Sequence, residues 1–356
     1  MKIGILTFHC AHNYGAVLQA YGLLEFLKSQ GHEVHIIDYR PMILIAPYRI
    51  FHWNTLFYPK AFLSKLLLLP SAWLRSQRFD RFIQNRLCVD SLALENMQND
   101  YDAFVFGSDQ IWNPKILQGF DPVYFGKFKA ASAKKLIAYA ASLGKKELTD
   151  DEKNYFKEAL KSFQAISVRE YSLKQLLSPL TDKPIQTVAD PTLLLEQSYW
   201  EKMAVKPNLR RPYVLVYQVV YDPNTMRIAR HLASQIGGEV VELKAKLSLT
   251  NQSRYQIASP EAFVGYFKYA TCVVTTSFHG TAFSIIFKRP FYTLKLNTPA
   301  DARSEALLAQ LALSERMIEK TGTPMFLEVN YTQAQKKLAE IKEASAAFLS
   351  ANLSNF

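Results

Sequence analysis

Two residues whose side chains can move a proton or hold an anion stand where an apolar run ends. His279 lies in CVVTTSFHGTAFSIIFKRPF, where a β-rich strand passes through Thr275, Thr276 and Ser277 into His279, Gly280 and Thr281 and then a helix. An imidazole there, with an unperturbed pKa of about 6.5, can act as acid or base near neutrality, a satisfied structural histidine being the alternative. Arg169 closes the run Ala165 to Val168, so its guanidinium can fork onto a carboxylate or phosphate; an ion pair with Glu170 or Asp190 is an equal alternative. The run 103–107 opens into GSDQIWNP, where Ser108, Asp109 and Gln110 can hold a substrate hydroxyl or cap the next turn. In HCAHNYGAVLQAYGLL, Asn13, Tyr14 and Gly15 precede a helix whose free N–H groups and dipole favour an anion, although Gly15 also suits a plain tight turn. His9 and His12 read as a loop pair, because no third metal ligand lies near. Hydrolase, P-loop and zinc chemistry lack their parts, since no G-x-S-x-G, Walker lysine, H-E-x-x-H or C-x-x-C is present.

The elements that must position these residues alternate. Ile3–Phe8, Ala16–Ser29 and Glu33–Tyr39 read as strand, helix and strand, a right-handed βαβ unit of a parallel sheet. Further strands are expected at Ala103–Gly107, Leu136–Ala141, Ala165–Val168 and Gln186–Ala189. Ser198 to Pro212 has two prolines, five charges and no clear period, and reads as a linker. The pattern restarts with strands at Tyr213–Val220, Glu239–Leu243, Cys272–Thr276 and Phe291–Leu296. Helices Asn224–Ile236, Pro260–Ala270 and Gly280–Phe287 lie between them. The expected fold class is α/β, with two Rossmann-like doubly wound domains, 1–197 and 213–330, facing across a cleft in a GT-B-like arrangement. A helix over 331–356 packs back across the junction in this reading. Ligands of open parallel sheets bind outside the carboxyl ends of the strands, where every candidate residue falls.

The 356 residues are 49% hydrophobic and 21% charged, which suits two folded domains and excludes disorder. With 42 Lys+Arg against 31 Asp+Glu the net charge is +11, which favours anionic partners. Three cysteines, Cys10, Cys88 and Cys272, are odd in number and far apart, so a reducing, cytoplasmic setting is expected. No signal peptide and no bilayer-spanning run is read. The segment 41–79 stands apart: five basic residues, no acidic one and eight aromatics including Trp53 and Trp73. It reads either as core-packed helices inserted in the first domain or as a peripheral anchor on an anionic bilayer, with nucleic acid a distant third.

Taken in order, TFHCAHNYGAVLQAYGL, FGSDQIWNP, SVRE, ADPTLLL and TTSFHGTAFSIIFKRPF resemble the polysaccharide pyruvyl transferase family over about residues 1 to 312. The resemblance implies a GT-B-like fold and transfer of the pyruvyl group of phosphoenolpyruvate to a sugar as a ketal. It implies that His279 protonates the donor's methylene carbon, that Arg169 clamps the donor's carboxylate or phosphate, and that Asp109 matches the family's acidic residue. Asn13, Tyr14, Gly15, Ser108, Gln110, Ser277, Gly280, Thr281 and Arg303 are then candidate substrate contacts. Some members carry an arginine two positions before the histidine, where this chain has Ser277, and Arg303 in ADARSEALLAQL is the candidate replacement. The expected partners are phosphoenolpyruvate and a glycan or lipid-linked oligosaccharide acceptor of a capsule or exopolysaccharide, with no cofactor, no metal and no nucleic acid. The alternatives are a nucleotide-sugar glycosyltransferase and a non-catalytic glycan-binding relative.

Overall fold

The computed structural model describes residues 1–49, 59–91, 94, 96, 97, 100–245, 247, 248, 255–298 and 301–354, side chains of 59–65 excepted. Two compact units form. The first comprises Met1–Pro47, Ile83–Leu195 and Leu338–Phe356; the second comprises Tyr48–Phe82 and Glu196–Lys337.

In chain order the elements begin β1 (Lys2–Leu6), α1 (Tyr14–Ser29), β2 (Glu33–Ile37), α2 (Met42–Ile45), α3 (Pro59–Arg86), β3 (Val89–Asp90) and β4 (Ala103–Phe106). Next come α4 (Pro114–Leu117), β5 (Lys135–Ala141), α5 (Asp150–Ala159), β6 (Ala165–Val168), α6 (Tyr171–Leu177), β7 (Ile185–Thr187) and α7 (Pro191–Leu194). The remainder runs α8 (Gln197–Met203), β8 (Tyr213–Gln218), α9 (Pro223–Gln235), β9 (Glu239–Lys244), α10 (Pro260–Tyr269) and β10 (Cys272–Thr275). It ends with α11 (Phe278–Ile286), β11 (Phe291–Lys295), α12 (Asp301–Gln310), β12 (Met317–Glu319) and α13 (Thr332–Leu353).

The fold is α/β, with one parallel sheet in each unit. The first sheet has the order β3-β2-β1-β4-β5-β6-β7 and the second β12-β11-β10-β8-β9. In the first, β1 pairs with β2 on one side and β4 on the other, Ile3 lying opposite both Val34 and Ala103. In the second, β8 is flanked by β9 and β10, with Val216 opposite Glu242 and Val274. The direction of winding therefore reverses between β1 and β4, and again between β8 and β10. Such switch points open a crevice at the carboxyl ends of the strands.

Helix periodicity explains how the helices seat themselves. α9 buries Thr225, Ile228, Ala229, Leu232 and Ala233, a stripe at i, i+3, i+4, i+7 and i+8 that packs on Val214, Val216 and Val274. α11 is buried on every side, in keeping with its apolar FHGTAFSII sequence.

Three boundaries differ from the sequence reading. The stretch taken as a linker begins with α8, whose Trp200 and Met203 are buried at i, i+3 spacing, Trp200 edge-on to Phe283 at 5.0 Å. Prolines and charges mask that short period. Segment 41–79 does not sit wholly with the amino-terminal half: Tyr48–Phe82 clusters with the second unit. The physical reason is two inward-turned arginines of α3. Arg75 donates to the carbonyls of Lys244 at 3.0 Å and Ala245 at 3.1 Å and to that of Gln256, while Arg78 donates to that of Ile257 at 2.6 Å. The carboxy-terminal helix is divided, Leu338–Phe356 belonging to the first unit, where Ser345 Oγ accepts from the Ala189 amide at 2.9 Å.

Candidate functional site

The first switch point gathers the loops after β1 and β4. Thr7 Oγ1 donates to the Ser108 carbonyl at 3.2 Å and accepts from Gln19 Nε2 at 2.7 Å, which ties the two loops to α1. A close approach forces glycine at 107: its φ is +123°, and a Cβ there would meet the Tyr139 carbonyl oxygen at 2.1 Å. Asp109 follows in the left-handed region at φ 69° and bridges to Ala141 on β5.

Several expected ligand contacts in this unit prove to be occupied by the fold. Asn13 caps α1, accepting from the amides of Gly15 at 2.9 Å and Ala16 at 3.4 Å, so its own side chain takes two donors that an anion would need. Tyr14 is fully buried. Ser108 is buried and donates to the Ala140 carbonyl at 3.2 Å. Gln110 accepts from Asn113 Nδ2. His9, read as one of a loop pair, is buried with Nε2 at 2.9 Å from Asp38, which also accepts from Arg40 Nε.

Arg169 is the electrostatic centre of this unit. Its side chain is 4% exposed; Nη1 donates to Asp190 at 2.7 Å, Nε to Glu170 at 3.3 Å, and Nη2 lies 3.9 Å from Asp109. Burial works to lower the guanidinium pKa, but Glu170, Asp190 and Asp109 outweigh it and the net shift is upward. Asp190 is fixed in turn: Oδ1 caps α7 by accepting from the Thr192 amide at 3.0 Å and its hydroxyl at 2.7 Å. Ser142 Oγ donates to Glu170 at 2.7 Å. Each of the ion pairs sequence reasoning weighed is present, and three carboxylates surround one guanidinium.

The second switch point belongs to β8 and β10. Thr275 Oγ1 donates to the Tyr217 carbonyl at 2.7 Å and Thr276 Oγ1 to that of Val220 at 3.0 Å, stitching together the loops that follow the two strands. Ser277 then caps α11, accepting from the Gly280 amide at 3.4 Å. Gly280 permits a tight crossing, since a Cβ there would lie 2.1 Å from Thr275 Oγ1. Thr281 is buried, donating to the Ser277 carbonyl at 3.2 Å and meeting Thr293 Oγ1 at 2.7 Å. Ser277, Gly280 and Thr281 therefore build the turn that presents His279, which is 8% exposed in the first turn of α11. Arg303, from α12, lies with its guanidinium carbon 6.0 Å from the Phe278 ring, whose other neighbour is the His279 imidazole at 5.2 Å.

Sequence reasoning missed a cavity of about 650 Å³ at the ends of β8 and β9. Its lining residues come from β8, α9, β9 and the loops after the two strands, and no local motif marks them.

A family model described as "Polysaccharide pyruvyl transferase" matches residues 13–297. No curated protein sequence matches the chain. Among solved structures, a UDP-GlcNAc 2-epimerase from Neisseria meningitidis is 12% identical with a TM-score of 0.47, covering 100% of this chain and 95% of its own. A putative UDP-N-acetylglucosamine 2-epimerase from Listeria monocytogenes is 10% identical with a TM-score of 0.46, covering 98% and 90%. The UDP-GlcNAc 2-epimerase from Methanocaldococcus jannaschii is 10% identical at 0.44, covering 96% and 92%.

Proposed function

Because the chain belongs to the polysaccharide pyruvyl transferase family, we propose that it moves the pyruvyl group of phosphoenolpyruvate onto a sugar of a cell-surface polysaccharide precursor. The observation that carries this reading is His279 at a strand-to-helix junction of a switch point, with the Arg303 cation beside the same turn. His279 delivers a proton to the methylene carbon of the donor. Oxocarbenium character then grows at C2, a sugar hydroxyl attacks that carbon, inorganic phosphate departs by C–O cleavage, and a second hydroxyl closes the ketal. Arg303 offsets the donor's negative charge, a preorganised contribution of the kind that often dominates catalysis.

The expectation that Arg169 clamps the donor directly becomes a positioning role in this proposal, since two sides of its guanidinium are already met by Glu170 and Asp190. Held this way, Asp109 keeps the carboxylate that the family resemblance assigns to the reaction. Purified protein supplied with extracts of the host's glycan precursors tests the assignment. Phosphate release is expected with phosphoenolpyruvate and no nucleoside diphosphate release with sugar nucleotides; the reverse pattern establishes the glycosyltransferase alternative, and neither activity the non-catalytic one.

We further propose that the acceptor is lipid-linked and that α3 rests on an anionic bilayer on the cytoplasmic side. What supports this is the exposure of Leu66, Leu67 and Trp73, with Leu66, Pro70 and Trp73 at i, i+4, i+7 spacing. No helix among the described residues is long and apolar enough to cross a membrane. Trp53 and the side chains of Lys60 and Lys65 lie outside the described residues, and Arg75 and Arg78 point inward. Flotation with phosphatidylglycerol vesicles is expected to carry the wild type and lose Trp73→Ser/Leu67→Ser; equal flotation of both dismisses the contact.

A further inference from the structure

The cavity at the ends of β8 and β9 is lined by charged, aromatic and apolar side chains together. Buried Gln218, Glu242 and Lys244 form its floor, and Tyr221, Met226 and Arg230 also line it. Its volume of about 650 Å³ falls within the range of roughly 300–1,000 Å³ usual for small-molecule sites.

Four features bear on what it holds. Glu242 and Lys244 are two residues apart on β9, so both side chains rise from the same face of the strand. Lys244 Nζ donates to Glu242 Oε1 at 2.6 Å, and Gln218 Nε2 approaches the same oxygen at 3.5 Å. This places acceptor oxygens and donor nitrogens side by side, the pattern that two neighbouring hydroxyl groups satisfy, since each hydroxyl donates once and accepts. Burial of the floor makes those bonds directional and costly to leave unmade. Tyr221 is 61% exposed, a large aromatic face turned to solvent beside the Lys244 ammonium, 5.9 Å from its centroid. Arg230 is exposed and has neither an ion pair nor a hydrogen bond among the described residues, which leaves its guanidinium available for phosphate.

The wall behind the floor is braced as a binding site requires. The carbonyls of Lys244 and Ala245 are held by buried Arg75 of α3, so the backbone that carries the floor is pinned from outside the sheet. The loop bearing Val219 and Tyr221 is joined to the turn before α11 by the Thr276 to Val220 hydrogen bond.

We propose that this cavity is the subsite for the acceptor sugar, recognising a hexosyl ring that carries a phosphoryl group. The ring lies on Tyr221, vicinal hydroxyls pair with Glu242, Lys244 and Gln218, and Arg230 meets the phosphate. The proposal rests on the transferase reading for the ring's role as acceptor.

Saturation-transfer NMR and calorimetric titration with a panel of hexose 1-phosphates, the free hexoses, uridine diphosphate and phosphoenolpyruvate test it on the full chain. At least one hexose 1-phosphate is expected to bind more tightly than its free hexose. Arg230→Ala is expected to remove that difference, and Tyr221→Ala to weaken both at least about tenfold. Both side chains are exposed, and unchanged thermal unfolding shows that the variants are folded. Phosphoenolpyruvate binding is expected to be the same in both variants and the wild type; its absence from the wild type counts against the donor assignment and leaves the sugar result standing. The proposal is overturned if no member of the hexose phosphate panel binds, if the variants bind it as the wild type does, or if uridine diphosphate alone is lost from them.

Discussion

Replacing Arg169 with leucine removes one cation from among three carboxylates in the interior of the first unit. The cost follows from the geometry. Nη1 to Asp190 at 2.7 Å is a charge-assisted bond between side chains that are 4% and 0% exposed, so solvent screening offers little relief. Breaking a buried pair costs about 3–5 kcal/mol, because the surviving carboxylate is left uncompensated. Asp190 keeps its bonds to the Thr192 amide and hydroxyl through Oδ1, and Glu170 keeps its bond from Ser142. Those survivors place the expected loss near the lower end, about 3 kcal/mol. Asp109, at 3.9 Å, contributes less.

Urea unfolding of Arg169→Leu, Asp190→Asn and the double variant, followed through the first unit's transition, measures the loss and the coupling. The two single losses are expected to exceed the double variant's by about 2 kcal/mol, the coupling of groups that share one network. Arg169→Lys is expected to recover only part, since an ammonium does not span Glu170 and Asp190 as a planar fork does. A loss under about 1 kcal/mol, or strictly additive variants, refutes the positioning role, for Arg169 would then not be held by these carboxylates.

Other outcomes follow from the same coordinates. Gly280→Ala drives a Cβ to within 2.1 Å of Thr275 Oγ1 and is expected to cost about 1–3 kcal/mol by chemical denaturation, where a neutral result removes the tight crossing. Burial pushes the Cys10 thiol up to about 11 and the Cys272 thiol to about 12, whereas Cys88 is exposed, so iodoacetamide at pH 8 is expected to label Cys88 first by peptide mapping. Early labelling of Cys10 contradicts that burial. Burial works to raise Asp38, but hydrogen bonds from His9 and Arg40 prevail and hold it below its ordinary 3.8. Its stabilisation is therefore complete above that ordinary value and is lost as acid titrates the folded state, so Asp38→Asn is expected to flatten the fall in melting temperature below about pH 4. An unchanged acid limb shows that Asp38 does not carry it.

The sheets were legible because parallel strands buried on both faces are near-continuous apolar runs. AISV at 165–168 and FYTLK at 291–295 match their observed bounds to within a residue. The two-residue β3 and three-residue β12 have no such run and passed unseen. In the candidate sites, His279 and Asp109 were legible as positions because each lies within four residues of a strand end. What the sequence could not convey is which polar groups the fold consumes. Asn13, Ser108, Ser277 and Thr281 have the residue types of ligand contacts, yet their bonds go to backbone and neighbouring hydroxyls that only tertiary packing supplies. The cavity was hidden for a related reason: Gln218, Arg230 and Lys244 sit on three successive elements and meet only once the βαβ unit folds.

The role of His279 is tested most directly by running the reaction in deuterium oxide with phosphoenolpyruvate and the native glycan precursor, then analysing the product by mass spectrometry. A ketal whose methyl group carries a single deuterium, with release of one phosphate per ketal, is expected from the wild type. His279→Asn is expected to slow its formation by about 10²- to 10⁴-fold while phosphoenolpyruvate still binds. Turnover by His279→Asn at the wild-type rate contradicts the assignment of the proton to this imidazole.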